Sequence, residues 1–139
     1  MSTPSVLFVC VRNSGKSQMA AALMRRAAGS RVAVYSAGTD PGSGLNALSV
    51  QVLAEVGADI AGETPKPVDP HLLDTVDMVV VLGREARLGP TPGVVVRTWD
   101  TDEPSLRGIE GIERMRLVRD DIAARVEALL PDLLSAAHP

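Results

Sequence analysis

The stretch MVVVL, residues 78–82, is apolar at every position. A strand with one face in water alternates apolar and polar side chains, so a run without alternation asks for cover on both faces, as a parallel sheet gives. We read it as a central parallel strand. Three further β-rich runs accompany it: SVLFV at 5–9, RVAVYS at 31–36 and VVVR at 94–97. Helical patterns lie between and after them. Residues 16–28 place Met19, Leu23, Met24 and Ala27 at helical spacing, residues 45–56 form a helix closed by Gly57, and a brief turn at 71–74 follows the proline-rich TPKPVDP. The last helix carries a buried stripe of Ile109, Ile112, Met115, Ile122, Val126, Leu129 and Leu133, and its arginines and carboxylates are expected to form a solvated face. Strands alternating with helices imply right-handed crossovers. The expected fold is α/β, a three-layer αβα sandwich around a four-stranded parallel sheet, in one domain over residues 1–139.

Composition narrows the function. The net charge of −3, from 14 basic and 17 acidic residues, is well mixed along the chain and leaves no footprint for nucleic acid or an anionic membrane surface. No apolar run approaches the roughly 18 residues of a membrane span, and MSTPSVLFVC lacks the make-up of a signal peptide, so a cytoplasmic location is expected. Cys10 is the one cysteine; with His71 and His138 it makes too few soft ligands for a structural zinc site, and no metal is expected. The aromatic residues are Phe8, Tyr35 and Trp99, too few for a base-stacking platform.

In such sheets ligands sit beyond the carboxyl ends of the strands, where Cys10 lies. The stretch CVRNSGKS, residues 10–17, leads from strand to helix, and loop amides plus a helix N-terminus make a concave site for an anion. One reading makes Cys10 a small buried hydrophobe. A second is a degenerate nucleotide loop: Gly15, Lys16 and Ser17 match GxxxxGK[ST], but Cys10 replaces the first glycine and no later strand clearly ends in a magnesium-binding Asp. A third makes Cys10 a nucleophile and Val11, Arg12, Asn13, Ser14, Gly15, Lys16 and Ser17 its oxyanion cradle. The helix N-terminus and Lys16 then favour the thiolate, and the Ser17 hydroxyl hydrogen-bonds it. Asn13 suits a left-handed backbone position or an ordinary turn. An acid for the departing oxygen is on offer in DTDEP, residues 100–104, with three carboxylates beyond a strand end.

CVRNSGKS, YSAGT at 35–39, DMVVVL at 77–82 and WDTDEP at 99–104 together resemble the low-molecular-weight protein tyrosine phosphatase fold, and within it the thiol-dependent arsenate reductases. The resemblance runs through nearly the whole chain. It implies Cys10 as nucleophile, Lys16 in place of the usual arginine, Ser17 as thiolate partner, and Asp102 or Glu103 as general acid, with Glu103 directly before Pro104. A lysine loses the planar two-point grip on equatorial oxygens, and Ser105 stands where a tyrosine phosphatase usually has an aromatic. GKSQMAA resembles the mycothiol-using type. With no second cysteine to take over an arsenylated Cys10, the resemblance implies an arsenate–mycothiol transferase in arsenate detoxification. It would bind no cofactor, use mycothiol as co-substrate, and leave the reduction to the glutaredoxin-like mycoredoxin. A phosphatase for small phosphate monoesters and a non-catalytic oxyanion- or nucleotide-binding domain are the alternatives. Arg12 and Arg25 are candidates for the acidic part of a bulky thiol or simple surface residues, and His71, a conceivable base, is expected at the surface.

Overall fold

The computed structural model describes residues 3–89 and 93–136; His138 lies outside them. Four strands, β1 Ser5–Cys10, β2 Ala33–Gly38, β3 Met78–Leu82 and β4 Val95–Trp99, form one parallel sheet in the order β2-β1-β3-β4. This is the expected four-stranded parallel sheet with helices around it. The two runs without polar interruption, β1 and β3, take the centre, as burial on both faces requires. All five residues of β3 are buried.

The pleat sorts β1 and β3 between two clusters. Val6, Phe8, Cys10, Met78, Val80 and Leu82 face a large cluster with helices α1 (Lys16–Ala28), α2 (Ala47–Ala54) and the long α4 (Gly111–Ala136). Leu7, Val9, Val79 and Val81 face a smaller one closed by Val76, Ala86 and the half-buried Leu72 and Leu73 of α3 (Pro70–Thr75). The second outer layer is therefore thin. Leu7, Phe8, Met19 and Met24 are fully buried, and truncating such a side chain to alanine costs about 2–5 kcal/mol. β1 is thus an anchored rail whose last residue is Cys10.

Several boundaries move relative to the sequence reading. β2 starts two residues later, because a 3-10 turn at Gly29–Arg31 extends α1 while the Arg31 guanidinium donates to the Ala27 and Ala28 carbonyls. It ends at Gly38, since Ala37 and Gly38 pair with Val9 and Cys10. α2 begins at Ala47 because the Asn46 side chain caps it, accepting from the Ser49 N–H at 3.0 Å. β4 takes in Thr98 and Trp99, which continue the register against Val81 and Leu82. Trp99 is buried, its ring centroid 5.8 Å from that of Phe8. The rest of β4 is exposed, as an edge strand with one partner. On α4 the stripe includes Val118 as well, while Ile112 is half-buried and Ile109, also half-buried, lies before the helix begins.

Candidate active site

The cradle begins where β1 runs out of sheet. Gly15 caps α1 without any side-chain hydrogen bond, and no acidic residue occupies the first turn, so the helix itself supplies no carboxylate to offset its positive end. Among the described residues, four carbonyls of the preceding loop are taken by one neighbouring segment. Thr39 N–H donates to Cys10 O (3.0 Å), Asp40 to Val11 O (2.8 Å), Gly42 to Arg12 O (2.9 Å) and Asn46 to Ser14 O (2.8 Å). With those carbonyls held by the neighbouring segment, the loop presents the Asn13 N–H to the Cys10 sulfur. The clamp is tight: a Cβ on Gly38 would stand 2.6 Å from the Val11 carbonyl oxygen, and one on Gly42 would stand 2.7 Å from Ser14 Oγ.

Asn13 organises the interior. It is the one non-glycine among the described residues with positive φ, at 54°, and it is completely buried. Its side-chain oxygen accepts from Lys66 N–H and Gln18 Nε2, both at 3.1 Å, and its Nδ2 donates to Ser17 Oγ at 2.7 Å. Ser17 Oγ lies 2.9 Å from Cys10 Sγ, and the Asn13 N–H donates to the same sulfur at 3.2 Å. With Asn13 supplying a proton to the Ser17 oxygen, the hydroxyl's own proton is free to point at sulfur. Cys10 is only 8% exposed. The structure brings Cys10, Asn13 and Ser17 into one hydrogen-bonded group.

The loop after β4 brings the two candidate acids differently. Both oxygens of Asp102 face Arg107, at 2.8 and 3.2 Å. The hydrogen bond from Arg107 holds the Asp102 carboxyl below its ordinary range against a smaller opposing effect of burial. Glu103 places one oxygen, Oε1, under three donors: Ser105 Oγ at 2.7 Å and Arg114 Nε and Nη2 at 3.1 and 2.6 Å. Its Oε2 is buried without a partner. Burial pushes the Glu103 carboxyl up, but the bonds from Ser105 and Arg114 and the charges of Arg114 and Lys16 outweigh it and leave the group below its usual value. Glu103 lines a cavity of about 460 Å³ together with Lys16, whereas Asp102 does not.

The arginines of α4 correct the reading that made them a solvated face. Arg114 grips Glu103, Arg125 donates to the Asp100 carbonyl at 2.8 Å, and Asp121 accepts from the Asp102 N–H at 2.8 Å. They sit where the helix passes beneath the loop, a placement that helical spacing alone does not give. Arg12 pairs with Asp40 at 2.6 Å, in the open. Arg25 donates to the Val34 carbonyl at 3.0 Å and lies 3.5 Å from Glu63, so it is a structural tie more than a free cation. His71 is exposed on α3.

Residues 5–89 match the profile of the low molecular weight phosphotyrosine protein phosphatase family. The chain belongs to this family. Its curated relatives include a "Putative arsenate reductase" of Halobacterium salinarum, 35% identical with 94% of each chain covered. A "Glutaredoxin arsenate reductase" of Synechocystis is 32% identical over 90% of this chain and 95% of the relative. Among solved structures, a protein described as an arsenate reductase in the phosphate binding state superposes with a TM-score of 0.82 at 30% identity, covering 94% of this chain and 98% of that one. A thioredoxin-dependent arsenate reductase of Corynebacterium glutamicum superposes with a TM-score of 0.80 at 32% identity; this chain is covered over 96% but spans 63% of that longer chain. Among the described residues no helix is long and apolar enough to cross a membrane.

Proposed function

We propose that this family member is an arsenate reductase of the thiol-transfer type, in which Cys10 takes the arsenic and an external low-molecular-weight thiol, mycothiol, receives it. The observation that carries the reading is the preformed anion cradle built around the one thiol of the chain. The names borne by its relatives favour arsenate as the oxyanion.

In this mechanism the amides of residues 11–17 and the Lys16 ammonium hold three arsenate oxygens, and Cys10 Sγ attacks arsenic in line with the fourth. A sulfur–arsenic bond forms, an arsenic–oxygen bond breaks, and the oxygen departs as water. Glu103 is the group we assign to carry the proton, because it lines the cavity with Lys16 and keeps one oxygen, Oε2, without a hydrogen-bond partner, while Asp102 is committed to Arg107. A carboxyl held below its usual value is mostly ionised at neutral pH. That suits a substrate that brings its own acidic hydroxyls, as arsenate does, better than an alkyl phosphate whose ester oxygen needs a proton from the enzyme. Lys16 in place of a bidentate arginine points the same way.

The thiol assignment rests on the GKSQMAA resemblance and on the cysteine count. A relay through the enzyme's own thiols needs a second cysteine, and Cys10 is the single cysteine of this chain. Mycoredoxin would then attack the sulfur of the arsenic–mycothiol adduct; a disulfide forms between mycoredoxin and mycothiol, the sulfur–arsenic bond breaks, and the electron pair of that bond stays on arsenic, which leaves as arsenite. The test is a coupled assay with arsenate, mycothiol and mycoredoxin. Arsenite formation that disappears in Cys10→Ser is the expected result. Turnover of p-nitrophenyl phosphate without added thiol, and none of arsenate, would replace this reading with that of a phosphatase.

A further inference from the structure

The first turn of α1 buries a polar side chain behind the cradle. Gln18 has no exposed surface, and its Nε2 faces three acceptors: Asn13 Oδ1 at 3.1 Å, Asn13 O at 3.3 Å and Thr64 O at 3.3 Å. Nε2 carries two protons, and the three oxygens around it fix which end of the amide is nitrogen. The other end is left bare, since Gln18 Oε1 is buried without a partner. A bare buried acceptor is destabilising, so packing alone would favour an apolar side chain of the same size. The gain lies in what the nitrogen holds.

The proline-rich TPKP, residues 64–67, meets Asn13 as well. Pro65 and Pro67 have no N–H, so Lys66 supplies the one backbone donor of residues 65–67, and it goes to Asn13 Oδ1 at 3.1 Å. Lys66 O accepts from the Gly38 N–H at 2.8 Å, and Pro67 bridges to Gly38, which ties this segment to the end of β2. Two donors thus converge on Asn13 Oδ1, one from a helix and one from a segment 53 residues away.

We infer that Gln18 and the Lys66 N–H are positioning groups for Cys10: they fix which way round the Asn13 amide sits, and through it whether the Ser17 proton reaches sulfur. The inference rests on the reading of Cys10 as nucleophile. With the Asn13 amide turned over, Nδ2 would face two other donors and Oδ1 would face Ser17 Oγ. The serine proton would then go to Asn13 and be lost to the sulfur, 2.9 Å away from Ser17 Oγ. Among the described residues no hydrogen bond joins Gln18 to Cys10, so its effect passes through Asn13 and Ser17.

The test uses Gln18→Met, which roughly keeps the volume and removes the donor together with the bare acceptor, and Gln18→Leu as a second donor-free variant. Alkylation of Cys10 by iodoacetamide at neutral pH should slow about three- to tenfold, with the melting temperature close to that of the unmodified protein. In a Ser17→Ala background there is no serine proton to aim, and the same substitutions should change the rate less than about twofold. Unchanged alkylation in both variants overturns the inference. So does an equal slowing in both backgrounds, which is what a general loosening of the cradle gives. With arsenate, kcat should fall by the same factor as alkylation while KM stays within about twofold; a rise in KM alone would make Gln18 a shaper of the oxyanion seat and overturn the positioning role. Alkylation needs no arsenate, so the expected rates in a protein that forms no arsenite would keep the positioning role and remove the arsenate reading alone.

Discussion

Asn13 Nδ2 sits 2.7 Å from Ser17 Oγ, which in turn lies 2.9 Å from Cys10 Sγ. Asn13 thereby fixes which way the serine proton points. Hydrogen bonds to charged groups contribute about 1.5–3 kcal/mol, so Ser17→Ala should slow alkylation of Cys10 by iodoacetamide at neutral pH, and turnover with it, by roughly 10–100-fold. Equal alkylation rates in the two proteins would deny Ser17 this role.

Gly38 has the Val11 carbonyl where its side chain would be, at 2.6 Å. Gly38→Ala must push the cradle loop off its clamp. We expect a loss of about 2 kcal/mol or more in thermal or denaturant unfolding, and loss of the stabilisation that added phosphate gives the unmodified protein. A variant that keeps both would show that the loop moves freely.

Of the two acids, only Glu103 has an oxygen to spare. Glu103→Gln should cost about 10²-fold in turnover and Asp102→Asn less than about threefold, measured at saturating thiol. The reverse order would transfer the proton-carrying role to Asp102.

Lys16→Arg restores a two-point grip on equatorial oxygens. Hydrolysis of p-nitrophenyl phosphate should rise by about three- to tenfold. An unchanged or lower rate counts against Lys16 as a weakened phosphate clamp.

Glu55, at the C-terminal cap of α2, binds two arginines of α4, with Oε2 2.7 Å from Arg116 Nη2 and Oε1 2.8 Å from Arg119 Nη1. The Arg116 hydrogen bond above all brings its carboxyl from 4.5 down to about 2, against the opposing effect of burial. A carboxyl lowered on folding stabilises fully above its unfolded value and loses that contribution as pH falls through its folded value. The melting temperature should therefore drop as pH goes from about 4.5 toward 2, and Glu55→Gln should flatten that part of the curve. Identical pH profiles would remove Glu55 from the account.

The sheet and the cradle are open to sequence reading for the same reason: both are local. MVVVL declares two-sided burial by itself, and CVRNSGKS holds the thiol, its serine and the left-handed Asn13 within eight residues. Edges are harder. Thr98 and Trp99 join β4 through register with β3, not through an apolar pattern of their own. Arg114 and Arg125 belong to an amphipathic helix whose polar face looks like any solvated face, and only the path of the loop above them turns them into its anchors. Gly38 stands out in the sequence only through the family likeness of YSAGT, yet its physical reason, the closeness of the Val11 carbonyl, lies 27 positions away in the chain.

The outward clamp on the carbonyls of Cys10, Val11, Arg12 and Ser14 bears on choice between ions. A ring of backbone amides held to one shape reads tetrahedral geometry and charge, and phosphate presents nearly the same of both as arsenate. Cellular phosphate is then a standing competitor for the seat rather than a rejected stranger. On the proposed thiol-transfer reading, selection between the two falls to chemistry once the seat is taken: an arsenic–sulfur bond would exchange with a waiting thiol, while a phosphate that cannot pass its central atom onward would depart as it came.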